Sequence, residues 1–299
     1  MRSSILLADT RLGIALMLAG ATSLAISDAL AKFLGSSYPP LQLLFMRAML
    51  GLPVAATLVL ATLGPQGLRS VNIRLHLGRG AVNVGSAVCF YAAVTRIALA
   101  EATAIAFCAP LIVTAVAAVL YRERVTAGAW LATLAGFAGV LVIVKPGSQG
   151  LNWAMLLPLG TAICYALLML SARHIKAGEH MFTMMFYIVA AQALWSALPQ
   201  WWIWRPVAVQ DVPTLLGLAL TSTVGLGCLT QAFRVAPASI IAPFDYCALI
   251  WATLLGWWFW HEVPAPTFYA GALLIVAAGI YMATRKTPGA PRRSQAHDQ

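Results

Sequence analysis

The chain has 299 residues, of which 61% are hydrophobic and 9% charged, and its net charge is +10. A soluble domain carries about 25% charged residues, so this chain cannot cover a globule in water and belongs in a bilayer. A soluble enzyme or binding module is excluded, and the basic excess finds its explanation in membrane topology rather than in nucleic acid.

Ten apolar runs follow one another, at 13–34, 41–62, 76–96, 99–121, 127–144, 153–172, 181–200, 213–233, 236–260 and 267–284. Each is near the ~20 residues that cross ~30 Å of hydrocarbon as a helix. The connections carry Pro, Gly and charge, as in "GSSYPP", "KPGSQG" and "HEVPAPT", and none is long enough for a soluble domain. The alternation of a barrel over ~10-residue strands is absent. The expected fold is an all-α membrane protein of ten transmembrane helices.

In the first run, Ala29-Leu30-Ala31 imitates a signal-peptidase site. The apolar stretch before it, 12–26, is at or past the upper end of a signal core, and Asp9 sits in the leader, so the run is expected to remain as helix 1. It also carries Asp28 and Lys32, and the second run carries Arg47. Asp28 and Arg47 each lie about seven residues from the predicted outer end of their helix, or roughly 10 Å deep. Charge at the bilayer centre costs at least ~2.5–3.5 kcal/mol and is seldom idle. Asp28 can pair with Arg47, or with Lys32 at i+4. Alternatively, Arg47 anchors a substrate carboxylate.

Neutral polar groups follow: Asn83, Ser86 and Tyr91 in the third run, Gln192 in the seventh and Gln231 in the eighth. Such groups either join helices or face a solute, and Asn83, Tyr91 and Gln231 are candidates for the second role. The ninth run holds "PFDYCALIW". Asp245 lies near its middle, and Pro243 leaves the carbonyl of Ser239 without its helical donor and offers a bend. Asp245 is the expected holder of a cation or proton in a central cavity, with Tyr246 and Trp251 as neighbouring substrate contacts. A salt bridge to Arg47 or Arg79, or a hydrogen bond between helices, is the structural alternative.

Other residue types carry less. Cys89, Cys108, Cys164, Cys228 and Cys247 all fall within apolar runs without a CxxC pair, which implies neither disulfide nor metal site. The histidines fall at predicted helix ends, in loops or in the tail. Glycines 80, 85, 136, 139, 225, 227, 271 and 279 are expected to let helices approach closely. Glu123 and Glu262, at helix ends, are expected to cap and to pair with loops. No GxxxxGK[ST], HExxH or GxSxG motif occurs.

With the N-terminus in the cytoplasm, fourteen of the nineteen Lys and Arg fall on the inner side. Lys32, Arg96, Lys145 and Arg205 fall outside, and Arg47 lies within a helix. This positive-inside pattern puts both termini in the cytoplasm. Trp153, Trp201, Trp202, Trp204, Trp257, Trp258 and Trp260 all fall at predicted outer ends, as an interfacial belt requires.

The chain also repeats. "RIALAEATAIAFCAPLIVTAVAAVLYRE" at 96–123 and "RVAPASIIAPFDYCALIWATLLGWWFWHE" at 234–262 both begin on Arg, hold a proline mid-helix and end on Glu. A glycine-bearing helix follows each. An offset of five helices is odd, so the second copy is inverted in the membrane. Inverted repeats mark secondary transporters, with the site between the halves near the midplane. The units are 1–145 and 151–285, followed by a disordered basic cytoplasmic tail at 286–299.

Lys32 ending helix 1, Arg47 in helix 2, "RERVTAGAW" after helix 4 and "HEVPAPTFYAGALLIVAAGIYM" near the end together resemble the EamA-type family of the drug/metabolite transporter superfamily, over about 10–285. Within it, "APASIIAPFDYCALIWATLLGWWFWHEVP" looks most like a branch that moves riboflavin, S-adenosylmethionine or amino-acid-derived metallophores. His261 departs from the pattern, since relatives more often carry Gly before the Glu. The resemblance implies a multi-pass inner-membrane protein, not an enzyme, that moves a small organic metabolite by alternating access without ATP or a cofactor. Export of an amino-acid-like zwitterion or metallophore is the expected direction. Import of riboflavin, S-adenosylmethionine or another nucleoside-like compound is the alternative, and a membrane-embedded enzyme or sensor a remote one. The expected partners are the small solute and the bilayer, with a homodimer left open.

Overall fold

The computed structural model describes residues 2–120, 126–144, 153–171, 174–175, 179–236 and 238–284. In hydrocarbon every backbone N–H and C=O must be satisfied within its own segment, which makes such apolar runs helical. Helices α1 (Arg2–Leu34), α2 (Pro40–Leu63) and α3 (Ile73–Val94) follow the first three runs. Pro40 opens α2, where its fixed φ suits a helix and its missing N–H costs nothing.

The fourth run is two helices, α4 (Leu99–Ala106) and α5 (Ala109–Leu120), parted at Phe107 and Cys108. Then come α6 (Ala127–Val144), α7 (Leu156–Ser171), α8 (Met181–Ala197), the short α9 (Gln200–Ile203) and α10 (Val212–Val235). The ninth run is also split, into α11 (Ala238–Asp245) and α12 (Cys247–Trp260), with Tyr246 between them. The last helix is α13 (Pro266–Thr284).

Among the described residues seven spans are long and apolar enough to cross a membrane: Arg11–Leu34, Pro40–Leu63, Ile73–Val94, Leu99–Val116, Ala127–Val144, Trp153–Ser171 and Val209–Ala232. Met181–Ala197 and Pro266–Met282 are shorter apolar helices. The unbroken helices expected at 99–121 and 236–260 are therefore corrected to two broken ones. The breaks correspond: Phe107-Cys108-Ala109 and Tyr246-Cys247-Ala248 stand at matching places in the two similar segments. Pro243 sits inside α11, so the ladder is already weakened one turn before the break. Pro110 sits in the first turn of α5, where proline is tolerated.

Helix α1 packs on α10, and α3 on α7. α2 packs on α8, α6 on α13, and α4 on α12. α5 meets α7, while α11 and α12 meet α1. Exchanging each run with the one five places away along the chain maps this set of neighbours onto itself. The largest buried apolar cluster joins α4–α7, α12 and α13 around Ile105, Cys108, Leu111, Ala162 and Ile275. A second joins α1, α2, α3 and α10 around Leu34, Leu43, Leu44, Tyr91 and Leu218.

Close packing uses some of the expected glycines. Gly139 and Gly271 let α6 and α13 meet backbone to backbone, and Gly80 meets Ala191. Gly85 and Gly227 are corrected: a side chain there would meet only an ordinary contact or open space. The connection after α9 is tied to the α1–α2 turn. Gln42 exchanges hydrogen bonds with the backbone of Arg205, and the Tyr38 hydroxyl donates to Asp211 at 2.7 Å. Expectations for Glu123, for most of the basic connections and for the 286–299 tail lie outside the described residues.

Candidate functional site

The two helix breaks meet. Phe107 and Tyr246, the aromatic residues at the corresponding positions, face each other with ring centroids 4.8 Å apart. Beside them is a cavity of about 380 Å³. Its floor is the break itself, with Phe107, Asp245 and Tyr246. Its walls are Pro110, Val113 and Thr114 of α5, Tyr165 and Met169 of α7, and Gly279 and Met282 of α13. These wall positions run from the break toward the ends of α5, α7 and α13 at Leu120, Ser171 and Thr284.

Asp245 is the acid of this cavity. It ends α11, and the side chains of Tyr165, Tyr246 and Cys247 lie close enough to feel its charge. Among the described residues no Lys, Arg or His nitrogen lies within 4 Å of it. The alternative of a salt bridge to Arg47 or Arg79 is not what the described residues show. Neighbouring residues on a straight helix point about 100° apart, yet Asp245 and Tyr246, at the break, both line the cavity. Gly279 makes room for the tyrosine, since any Cβ there would overlap the Tyr246 hydroxyl.

A second polar cluster is buried between α1, α2 and α3. Arg47 donates to the Tyr91 hydroxyl at 2.8 Å, and Asp28 and Ser27 stand beside the same tyrosine. Asp28 feels the Arg47 charge but is not within 4 Å of it, so the expected direct ion pair is corrected to a looser arrangement around Tyr91. Lys32 is not the partner of Asp28 either: it pairs with Glu262.

The other candidates separate. Asn83 donates to Gln192 at 3.1 Å, and Gln192 donates to the Leu44 carbonyl, so both serve as links between helices. Ser86 and Thr161 exchange hydrogen bonds with each other's backbone carbonyls and link α3 to α7. Gln231 is partly buried on α10, and Trp251 is 38% exposed on α12 and does not line the cavity. Glu262 pairs and caps as expected, accepting from the Leu99 N–H at the start of α4 at 3.0 Å.

Two features escaped the sequence. Tyr165 has no polar neighbour in sequence to mark it. His76, expected at a helix end, is fully buried, bonded to Glu179 at 2.9 Å and stacked on Tyr187. Burial opposes ionisation of Glu179, but hydrogen bonds from Ser70, Asn72 and His76 outweigh it and hold the carboxyl below its usual range. The pairing of Phe107 with Tyr246 did have a signal: the aromatic-Cys-Ala triplets recur at the offset of the two Glu residues. Among the described residues no group of three or more His, Cys, Asp or Glu could hold a metal ion.

The model of the EamA-like transporter family matches residues 11–145 and 152–285. The chain belongs to the EamA-like transporter family. Curated relatives agree. The pseudopaline exporter CntI of Pseudomonas aeruginosa is 28% identical over 92% of this chain and 96% of its own. The riboflavin transporter of Vibrio cholerae is 29% identical over 76% and 78%. The S-adenosylmethionine uptake transporter of Rickettsia prowazekii is 25% identical over 90% and 92%. A solved crystal structure, 21% identical, shares the fold with a TM-score of 0.59 over 91% of this chain and 95% of the other. This EamA-like protein is thus a multi-pass membrane transporter of the drug/metabolite type, and its solutes are small molecules.

Proposed function

We propose that the protein is a secondary transporter that exports a small amino-acid-like zwitterion, or a metallophore built from amino acids, across the inner membrane. In this reading ten helices form two inverted five-helix units, 1–145 and 151–285, that alternate access around the cavity at the paired breaks. The neighbour set that maps onto itself under a five-helix exchange supports the inverted arrangement, as do the two corresponding breaks.

The observation that carries the proposal is Asp245 facing a cavity of about 380 Å³ without a cationic partner among the described residues. That volume lies within the ~300–1,000 Å³ of small-molecule sites. A carboxylate so placed binds an ammonium group or a proton, because an uncompensated buried charge is costly. The same group can therefore couple transport to protons by exchanging one for the solute's ammonium. Arg47, held by Tyr91, is the candidate anchor for a solute carboxylate elsewhere on the path. Export is favoured because the pseudopaline exporter, 28% identical over 92% of this chain, is somewhat more similar than the S-adenosylmethionine uptake transporter, 25% identical over 90%.

The aromatic lining of Phe107, Tyr165 and Tyr246 favours a second reading, in which a flat heteroaromatic solute such as riboflavin or S-adenosylmethionine is imported. A metabolite profile of a deletion strain, cells against medium, separates them. Export predicts an amino-acid-like compound retained in the cells and depleted outside. Import predicts a flavin or nucleoside-like compound left in the medium.

A further inference from the structure

The end of the bundle away from the cavity mouth is shut, and one ion pair holds it. Helix α12 stops at His261, which adopts a left-handed φ of 54°. That turn folds Glu262 back beside Gly256, where a Cβ would lie 3.0 Å from the carboxylate. One Glu262 oxygen caps α4 at the Leu99 N–H, 3.0 Å away. The other meets Lys32 from the last turn of α1. Lys32 also donates to the Ile97 carbonyl at 3.1 Å and lies over the Trp260 ring. Three helix ends, of α1, α4 and α12, are thereby fastened at one point.

Below this point the packing is apolar. Ala29, Val94, Leu99, Ala102 and Ala252 are buried together as an apolar plug between the ion pair and the breaks. Above it an open vestibule of about 460 Å³ reaches Lys32 and Glu262 and includes Arg96. The pair thus sits at the border of plug and water. Its two side chains are 7% and 22% exposed, so water can take over either charge when the helices part. Two of the three helices it fastens, α4 and α12, are the half-helices on its own side of the breaks. The breaks at Phe107 and Tyr246 separate these half-helices from α5 and α11.

We propose that the Lys32–Glu262 ion pair is the latch of the gate at this end, and that it breaks and re-forms in every transport cycle. The proposal rests on the alternating-access reading above, yet its first test needs no knowledge of the solute. Thr114→Cys places a thiol in the cavity wall. Sealed vesicles are treated from each face in turn with a membrane-impermeant maleimide, and the modified peptide is quantified by mass spectrometry. With the latch intact the thiol reacts faster from the face where the cavity opens. Lys32→Met or Glu262→Gln should raise labelling from the opposite face several-fold, and Lys32→Glu with Glu262→Lys should return it toward the parent rate. Unchanged labelling in all variants would overturn the latch and leave a static tie.

Should the single variants fold poorly, Lys32→Cys with Glu262→Cys offers a second measurement. In the Thr114→Cys background, a thiol-reactive bifunctional cross-linker with an internal disulfide should stop accumulation of the pH-gradient-driven solute and also stop labelling of the cavity thiol from the latch face, with both restored by reductant. Labelling that persists from the latch face after cross-linking would overturn the latch. Loss of solute flux before cross-linking, with labelling behaving as expected, would instead count against the transport reading alone.

Discussion

Gly279→Ala should disable the cavity from behind. An added Cβ would overlap the Tyr246 hydroxyl and lie 2.5 Å from ring carbon Cζ and 3.2 Å from Cε2. Carbon atoms prefer about 3.5–4.0 Å, so the ring must move by about 1 Å or more. It cannot move freely, because it packs against Phe107 at 4.8 Å and is carried by the break next to Asp245. Overpacking costs about 1–3 kcal/mol, and loosening an aromatic pair forfeits about 0.5–1.5 kcal/mol more. Thermal unfolding in detergent should show a loss of about 1.5–4.5 kcal/mol or the equivalent fall in Tm, and flux in proteoliposomes should drop with it. Tyr246→Phe removes the hydroxyl but leaves Cζ too near, so the double variant should recover part of the loss. Tyr246→Ala should recover more stability but not flux. The coupling between the two positions should exceed about 1 kcal/mol. Wild-type stability and flux in Gly279→Ala, or strictly additive effects, would refute the placement of Tyr246.

Three further outcomes are expected. Arg47→Ala should lower thermal stability by about 1.5–3 kcal/mol, the worth of a hydrogen bond to a charged group, and Asp28→Asn with Arg47→Gln should recover part of it. Normal folding of Arg47→Ala with lost affinity for carboxylated solutes would show an anchor instead. For Glu179, a pKa held below its ordinary 4.5 contributes stability above that value, and this is lost as pH falls through the lower folded value. Asn72→Ala should shift acid unfolding to higher pH in detergent-solubilised protein, and an unchanged acid limb would count against the pairing. A reporter fused after Gln299 should read cytoplasmic and one within 201–212 external; the reverse pair of readings would overturn the orientation.

The helices were legible because bilayer thickness sets their length and hydrocarbon demands apolar side chains, and the runs at 41–62, 127–144 and 267–284 match α2, α6 and α13 closely. The breaks were only half legible. Pro243 and Pro110 each announce a weakness, Pro110 by leaving the Ala106 carbonyl without its helical donor, but a proline can also merely bend a helix, and only the likeness of Phe107-Cys108 to Tyr246-Cys247 marks where both part. Asp245 stood out because a carboxylate in mid-membrane is costly, whereas Tyr165 looks like any aromatic on an apolar helix until the fold turns it toward the cavity. Trp251 reads as a substrate contact beside Asp245, yet it is 38% exposed on α12 and does not line the cavity. Lys32 was offered Asp28 because local spacing favours i+4 partners. Glu262 lies 230 residues away, and no local pattern reveals a contact made only by folding. His76 was dismissed as a helix-end residue because its partners, Glu179 and Tyr187, arrive from a distant connection and helix.

The most direct test of the account is flux through purified protein. Wild type and Asp245→Asn are reconstituted in sealed proteoliposomes and given a panel of amino-acid-like zwitterions, with and without a pH gradient. The account predicts that wild type accumulates a zwitterion against its gradient when the pH gradient is present. It predicts that Asp245→Asn folds, because asparagine keeps shape and hydrogen bonding, and loses the response to the gradient while retaining at most passive exchange. Equal gradient dependence in the two proteins would contradict it and leave Asp245 a packing residue.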